Sequence, residues 1–180
     1  MLRRPVAVLA VVLSALVGLT ACDATTYVDS SPGRAAPTSG AGWQPTGPIA
    51  LDLPTSHALT ENAALPPDST PVLVNIWAST CVPCRTELPL LQEIDTAGTL
   101  KVIGYSRDVS SGPATSALDA AGVTYPNWLD TDASIAVALD GRIPVNAIPS
   151  SFLIRGGKVV AVHIGAFSSK ADVLKALEIK

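Results

Sequence analysis

The chain has 180 residues, 48% of them apolar, enough for one globular domain with additional flanking sequence. Twelve lysines and arginines stand against fifteen acidic residues, a mildly acidic balance with no basic run or patch. Nothing in that charge recommends nucleic acid as a partner.

The N-terminus reads as an export signal. Arg3 and Arg4 make a positive start, Pro5 to Leu19 is uncharged and strongly apolar, and small residues follow up to Cys22. The apolar run is shorter than the roughly 20 residues that cross a bilayer. Leu19-Thr20-Ala21-Cys22 resembles a bacterial lipoprotein box. That resemblance implies cleavage before Cys22, acylation of Cys22 and a lipid-anchored protein on the cell membrane, facing away from the cytoplasm. The other reading is an ordinary signal peptide with a chance cysteine. Residues 1–21 are thus expected to be the signal peptide, 22–47 a lipidated N-terminus and flexible tether rich in Ser, Thr, Ala, Gly and Pro, and 48–180 the folded domain.

Trp43, a large apolar residue of the tether, is a candidate to dock on the domain edge. Ile49, Leu51 and Leu53 alternate as in a short edge strand. Leu59 to Leu65 suggests one helical turn before Pro66-Pro67. Pro71 to Ala78 is a continuous β-prone run, as in a central strand buried on both faces. A helix is predicted over Val82 to Ala97, kinked at Pro89 and stopped by Gly98. Leu100 to Tyr105 is a second strand, Ala114 to Ala121 a helix, Val123 to Leu129 extended, and Asp132 to Leu139 a short helix. Ser150 to Ile154 and Lys158 to Ile164 form a hairpin around Arg155-Gly156-Gly157. Ser169 to Asp172 fits a capping box opening a last amphipathic helix. The order implies an α/β layered fold with a mixed sheet.

The residues with chemistry are Cys81-Val82-Pro83-Cys84, between the buried strand and the helix. Two intervening residues let both sulfurs meet within one turn. At the helix start, free N–H groups and the macrodipole favour the thiolate of Cys81, the species that attacks disulfides. Cys84, one turn in, is then the buried resolving thiol, and Pro83 suits a first turn that has no use for its missing N–H. Structural zinc would need four ligands, and the other candidates are only His57 and His163. A static disulfide across so short a loop gains little from loop closure. His163 is expected to be a structural histidine on a strand, His57 an exposed loop residue. If Cys22 carries lipid, Cys81 and Cys84 are left to pair with each other.

Val74 to Pro89, around this motif, resembles the active-site stretch of the TlpA/ResA-like thioredoxins, and the similarity extends from about Ile49 to the C-terminus. It includes an insert between Arg107 and Leu139 and a second motif, Ala147-Ile148-Pro149-Ser150-Ser151-Phe152-Leu153. The resemblance implies a thioredoxin fold, with mixed central sheet and flanking helices. It also implies a cis Ile148–Pro149 bond facing the cysteines, with Ile148 offering its backbone to an extended substrate. Glu87 matches an acid common in the group, placed to raise the pKa of the Cys84 thiol or to pass protons; alternatively it is an exposed acid pairing with Arg85 or solvent. Asn75 stands where general thioredoxins have a buried acid, and is expected to satisfy buried backbone groups. Thr80 replaces a usual Trp, which leaves the redox potential open.

The implied activity is thiol–disulfide oxidoreduction without a cofactor or metal. The implied electron donor is a membrane thiol carrier, and the substrate an exported disulfide protein such as apocytochrome c, whose C-x-x-C-H segment oxidises outside the cytoplasm. The same chemistry in reverse would make a disulfide donor for secreted proteins. A Cu(I) chaperone is a third reading, although copper proteins of this fold generally place three residues between the cysteines. Ala78, three residues before Cys81, departs from the peroxiredoxin pattern of Thr or Ser there.

Overall fold

The computed structural model describes residues 42–61 and 63–179, so the expected signal segment, Cys22 and most of the expected tether lie outside the described residues. Among the described residues, no helix is long and apolar enough to cross a membrane.

Six strands form one mixed sheet in the order β1-β6-β5-β2-β3-β4. They are β1 (Gln44–Ala50), β2 (Val72–Trp77), β3 (Lys101–Ser106), β4 (Asn127–Leu129), β5 (Ser150–Arg155) and β6 (Lys158–Ile164). β2, β3 and β4 run parallel, whereas β5 is antiparallel to both β2 and β6, and β1 is antiparallel to β6. Every residue of β2 is buried, as its uninterrupted apolar run requires of a strand covered on both faces.

Alternation along β2 divides the interior. Leu73 and Trp77 face α1 (Val82–Ala97), where they meet Leu88, Leu91 and Ile94, with Leu118 from α2 (Ser111–Ala121). Val74 and Ile76 point to the opposite face, with Ile103, Tyr105 and Trp128, under Ile135 of α3 (Ser134–Ala138). The β5–β6 turn places Gly156 and Gly157 at φ 58° and 69°, the left-handed backbone that a tight hairpin needs. Helix α1 continues through Pro89 and ends at Gly98 in the left-handed conformation.

Four local expectations are corrected. The edge strand begins at Gln44 and ends at Ala50, so Leu51 and Leu53 lie beyond it, and it takes in residues 44–47, whose composition resembles a tether. Leu59 to Leu65 makes no helical turn among its described residues. Instead Ala58 bridges Trp128, and the Leu59 N–H donates to the Asn127 carbonyl at 2.8 Å, because β4 is a sheet edge whose free backbone groups capture the passing chain. The predicted final helix divides into a five-residue α4 (Lys170–Leu174) and a 3-10 turn, Lys175–Glu178. Ser169 caps α4 by accepting from the Asp172 N–H, as the capping box implies. Asn75 bonds side chains rather than backbone, as described below.

Candidate active site

Parallel β2 and β3 end on the same side of the sheet, and antiparallel β5 begins there. Cys81 follows β2, Asp108 follows β3, and the cis Ile148–Pro149 bond immediately precedes β5. The topology thus brings three segments distant in sequence to one end of the molecule.

Cys81 is the N-cap of α1, with extended backbone, and its Sγ accepts the Cys84 N–H at 3.2 Å. That orphan N–H, together with the helix dipole, is poised to stabilise a Cys81 thiolate when the pair is reduced. Pro83 lies in the first turn, where no intrahelical bond is lost. Cys81 and Cys84 form a disulfide; Cys81 is partly exposed and Cys84 is 0% exposed. The asymmetry suits an attacking and a resolving sulfur.

Glu87, one turn after Cys84, is 2% exposed, which overturns the exposed-acid reading. Asn75 Nδ2 donates to its Oε1 at 2.8 Å, and the Phe167 N–H donates to its Oε2 at 3.0 Å. Burial raises its carboxyl from the ordinary 4.5 to about 7, partly opposed by those two hydrogen bonds. Asn75 Nδ2 also lies 3.2 Å from Ser151 Oγ across the β2–β5 pair. Asn75 Oδ1 is buried without a donor among the described residues. An amide turned by half a rotation would offer that oxygen to a protonated Glu87, so Asn75 can serve both charge states of the carboxyl.

Around this centre lie contacts that sequence reasoning missed. Asp108 accepts from the Ser79 N–H at 2.9 Å, Ser79 Oγ at 2.7 Å and Ser106 Oγ at 2.6 Å, pinning the turn that leads into Cys81. Trp77 Nε1 donates to Asn127 Oδ1 at 3.0 Å, and the Asn127 side chain occupies space left open by Gly104. Val82, Val109 and Val145 are exposed apolar residues of the segments that meet at this end. Their positions before or after strand ends were visible in sequence, but the pairing that gathers them was not.

His163 and Trp43 sit to one side. His163 stacks on Phe167 at 4.2 Å, Trp43 packs on both, and Trp43 Nε1 donates to the Asp172 carbonyl at 3.1 Å. Burial holds the His163 pKa below its ordinary 6.5. His57 is exposed, in left-handed backbone, away from the cysteines in sequence and bonded to β4 through its carbonyl.

Residues 45–177 match the Redoxin family model. The chain belongs to the redoxin family. The thiol:disulfide interchange protein CycY of Rhizobium leguminosarum bv. viciae is 32% identical to this redoxin over 135 residues, 73% of this chain and 69% of its own. A thiol:disulfide interchange protein DsbE homologue of Paracoccus denitrificans is 37% identical over 94 residues, 52% of this chain and 50% of that one. A solved secreted thiol-disulfide isomerase from Corynebacterium glutamicum superposes with a TM-score of 0.53 at 30% identity, covering 61% of this chain and 69% of the other. A DsbF homologue from Corynebacterium diphtheriae covers 85% of this redoxin and 98% of itself, with a TM-score of 0.59; at 20% identity it speaks for the fold alone. This redoxin is a thiol–disulfide oxidoreductase of thioredoxin fold, in keeping with its likeness to the TlpA/ResA-like group.

Proposed function

We propose that the protein reduces disulfides of exported proteins outside the cytoplasm, with Cys81 as attacking and Cys84 as resolving thiol. The observation that carries this reading is the asymmetric pair at the start of α1: a partly exposed N-cap sulfur holding an N–H, joined to a fully buried one. The Cys81 thiolate attacks one sulfur of the substrate disulfide. A mixed disulfide forms, and the first substrate sulfur leaves as a thiolate that takes a proton from solvent. Cys84 then attacks Cys81 Sγ, releasing the second substrate thiol and closing the Cys81–Cys84 disulfide. The substrate gains two electrons and the protein loses two, which a membrane thiol carrier returns. Ile148 and Pro149, whose cis bond precedes β5 at the same end of the sheet as Cys81, would hold an extended substrate segment, and buried Glu87 would govern the ionisation of Cys84. The relationship to interchange proteins named CycY and DsbE supports apocytochrome c, through its C-x-x-C-H segment, as the substrate.

The lipoprotein box supports anchoring through Cys22; Cys22→Ser is expected to move the protein from the membrane fraction to the soluble one, and unchanged partitioning would remove the anchor. Direction is read from the reduction potential against glutathione or thioredoxin. A value near or below about −270 mV supports reduction, whereas one near about −120 mV marks a disulfide donor. That second direction draws support from Thr80 in the usual Trp position and from the C. glutamicum relative described as an isomerase. Cys84→Ala is expected to trap an apocytochrome as a mixed disulfide on Cys81; trapping only unrelated secreted proteins would overturn that substrate.

A further inference from the structure

An open groove of about 640 Å³ runs between α1 and α2 and begins at the residues flanking the reactive turn. Ser79 and Val82, on either side of Thr80-Cys81, line it together with Pro89 and Ala117. Val82 is 62% exposed although large and apolar. Arg85 is the one charged residue of the lining, and no carboxylate faces it across the groove. Its guanidinium makes no ion pair or side-chain hydrogen bond among the described residues. It also stands near the positive end of α1, whose first turn contains no acidic residue. A cation there opposes the helix dipole, a small cost unless an anion arrives from outside.

Topology fixes where this groove lies relative to a bound substrate. β3 and β5 flank β2 on opposite sides; α2 follows β3, and the Ile148–Pro149 segment precedes β5. A polypeptide joined to Cys81 therefore has the cis-proline segment on one side and the groove on the other.

We infer that the α1–α2 groove is a specificity subsite for the substrate polypeptide, taking an apolar side chain near the substrate cysteine together with a neighbouring carboxylate that pairs with Arg85. This rests on the reading of Cys81 as the attacking thiol and adds to it a substrate class: disulfide segments of apolar and acidic sequence. The occupant is an extended segment of the substrate, because the groove is lined by Val82, the residue next to the reacting cysteine, and offers apolar walls beside a single unneutralised positive charge.

The test uses the reduced protein and synthetic disulfide peptides identical except after the second cysteine, where one carries Leu-Glu and the other Leu-Lys. Single-turnover rates are followed by mass spectrometry, with hydroxyethyl disulfide as an uncharged substrate too short to reach Arg85 while its disulfide reacts at Cys81. The Glu peptide is expected to react about five- to tenfold faster than the Lys peptide, attraction in one case being compared with repulsion in the other. The ratio is expected to fall toward one at high salt. Arg85→Glu is expected to invert it, and Ala120→Glu, at an exposed position on the opposite wall, to abolish it. Reading a ratio cancels any effect of Arg85 on the reactivity of Cys81 itself. Equal rates for the two peptides, or a preference that survives Arg85→Glu, would overturn the subsite while leaving the attacking thiol intact. Failure of Cys81→Ser to abolish reaction with hydroxyethyl disulfide would instead overturn the underlying reading of Cys81.

Discussion

Glu87 carries a measurable signature because its proton affinity changes on folding. The unfolded carboxyl ionises near 4.5 and the folded one near 7, so between those values the folded state keeps a proton that the unfolded state has released. The contribution of this group to stability is then full below pH 4.5 and is lost as pH rises through 7, by on the order of 3 kcal/mol. Glu87→Gln, which cannot ionise, is expected to flatten that decline in urea midpoints measured from pH 4.5 to 8; an equal decline in both proteins would place the titration elsewhere. A second residue-scale consequence concerns Gly104. A Cβ there would sit 1.9 Å from Asn127 Oδ1, the acceptor of the Trp77 indole N–H. Gly104→Ala must push Asn127 aside and strip a buried donor of its partner, at a cost of about 2–4 kcal/mol. Because the penalty passes through one neighbour, Gly104→Ala and Asn127→Ala are expected to cost less together than the sum of their separate effects. Simple additivity would show the two residues to be uncoupled.

At the scale of elements, the sequence was most legible where local pattern and tertiary environment demand the same thing. β2 is an unbroken apolar run and is buried throughout; α1 opens at a cysteine cap and stops at Gly98; the β5–β6 hairpin turns on Gly156-Gly157. Legibility failed where a partner outside the segment decides. Leu59 has no strand pattern, yet the edge of β4 takes its N–H. The start of β1 was hidden in a stretch resembling a linker, because its register comes from β6 and from Trp43 rather than from its own composition. Trp43 also touches Phe167, whose N–H holds Glu87, so the beginning of the ordered chain is connected to the buried acid beside the cysteines. Trp43→Ala is expected to destabilise the fold by about 2–3 kcal/mol. It is also expected to move the pH at which stability declines. Destabilisation with an unchanged pH profile would confine Trp43 to anchoring β1.

For the whole molecule, the chemistry was legible only where it is contiguous in the chain. Cys81, Pro83 and Cys84 lie in one turn, whereas Asp108, Asn127 and Phe167 reach the same region only through the sheet and its connections. Those distant contacts bear on the redox balance, since the reduction potential measures how differently the fold stabilises its disulfide and dithiol forms. Two influences oppose each other. The helix start and the Cys84 N–H stabilise a Cys81 thiolate and hence the reduced form. Full burial of Cys84, with Glu87 one turn away and also buried, disfavours a second thiolate, most strongly once Glu87 ionises above about 7. A reductase requires the disfavouring influence to win. The oxidised protein is then expected to unfold at higher denaturant than the reduced protein, with each 30 mV below the potential of the isolated Cys-Val-Pro-Cys peptide corresponding to about 1.4 kcal/mol. Glu87→Gln removes the carboxylate charge, so the gap between the two forms should narrow at pH 8 and change little at pH 5.5, where wild-type Glu87 is protonated. Parallel denaturation of both redox forms at the two pH values checks this. A reduced form more stable than the oxidised one would mean that the helix start prevails, and that electrons flow from substrate to protein rather than the reverse.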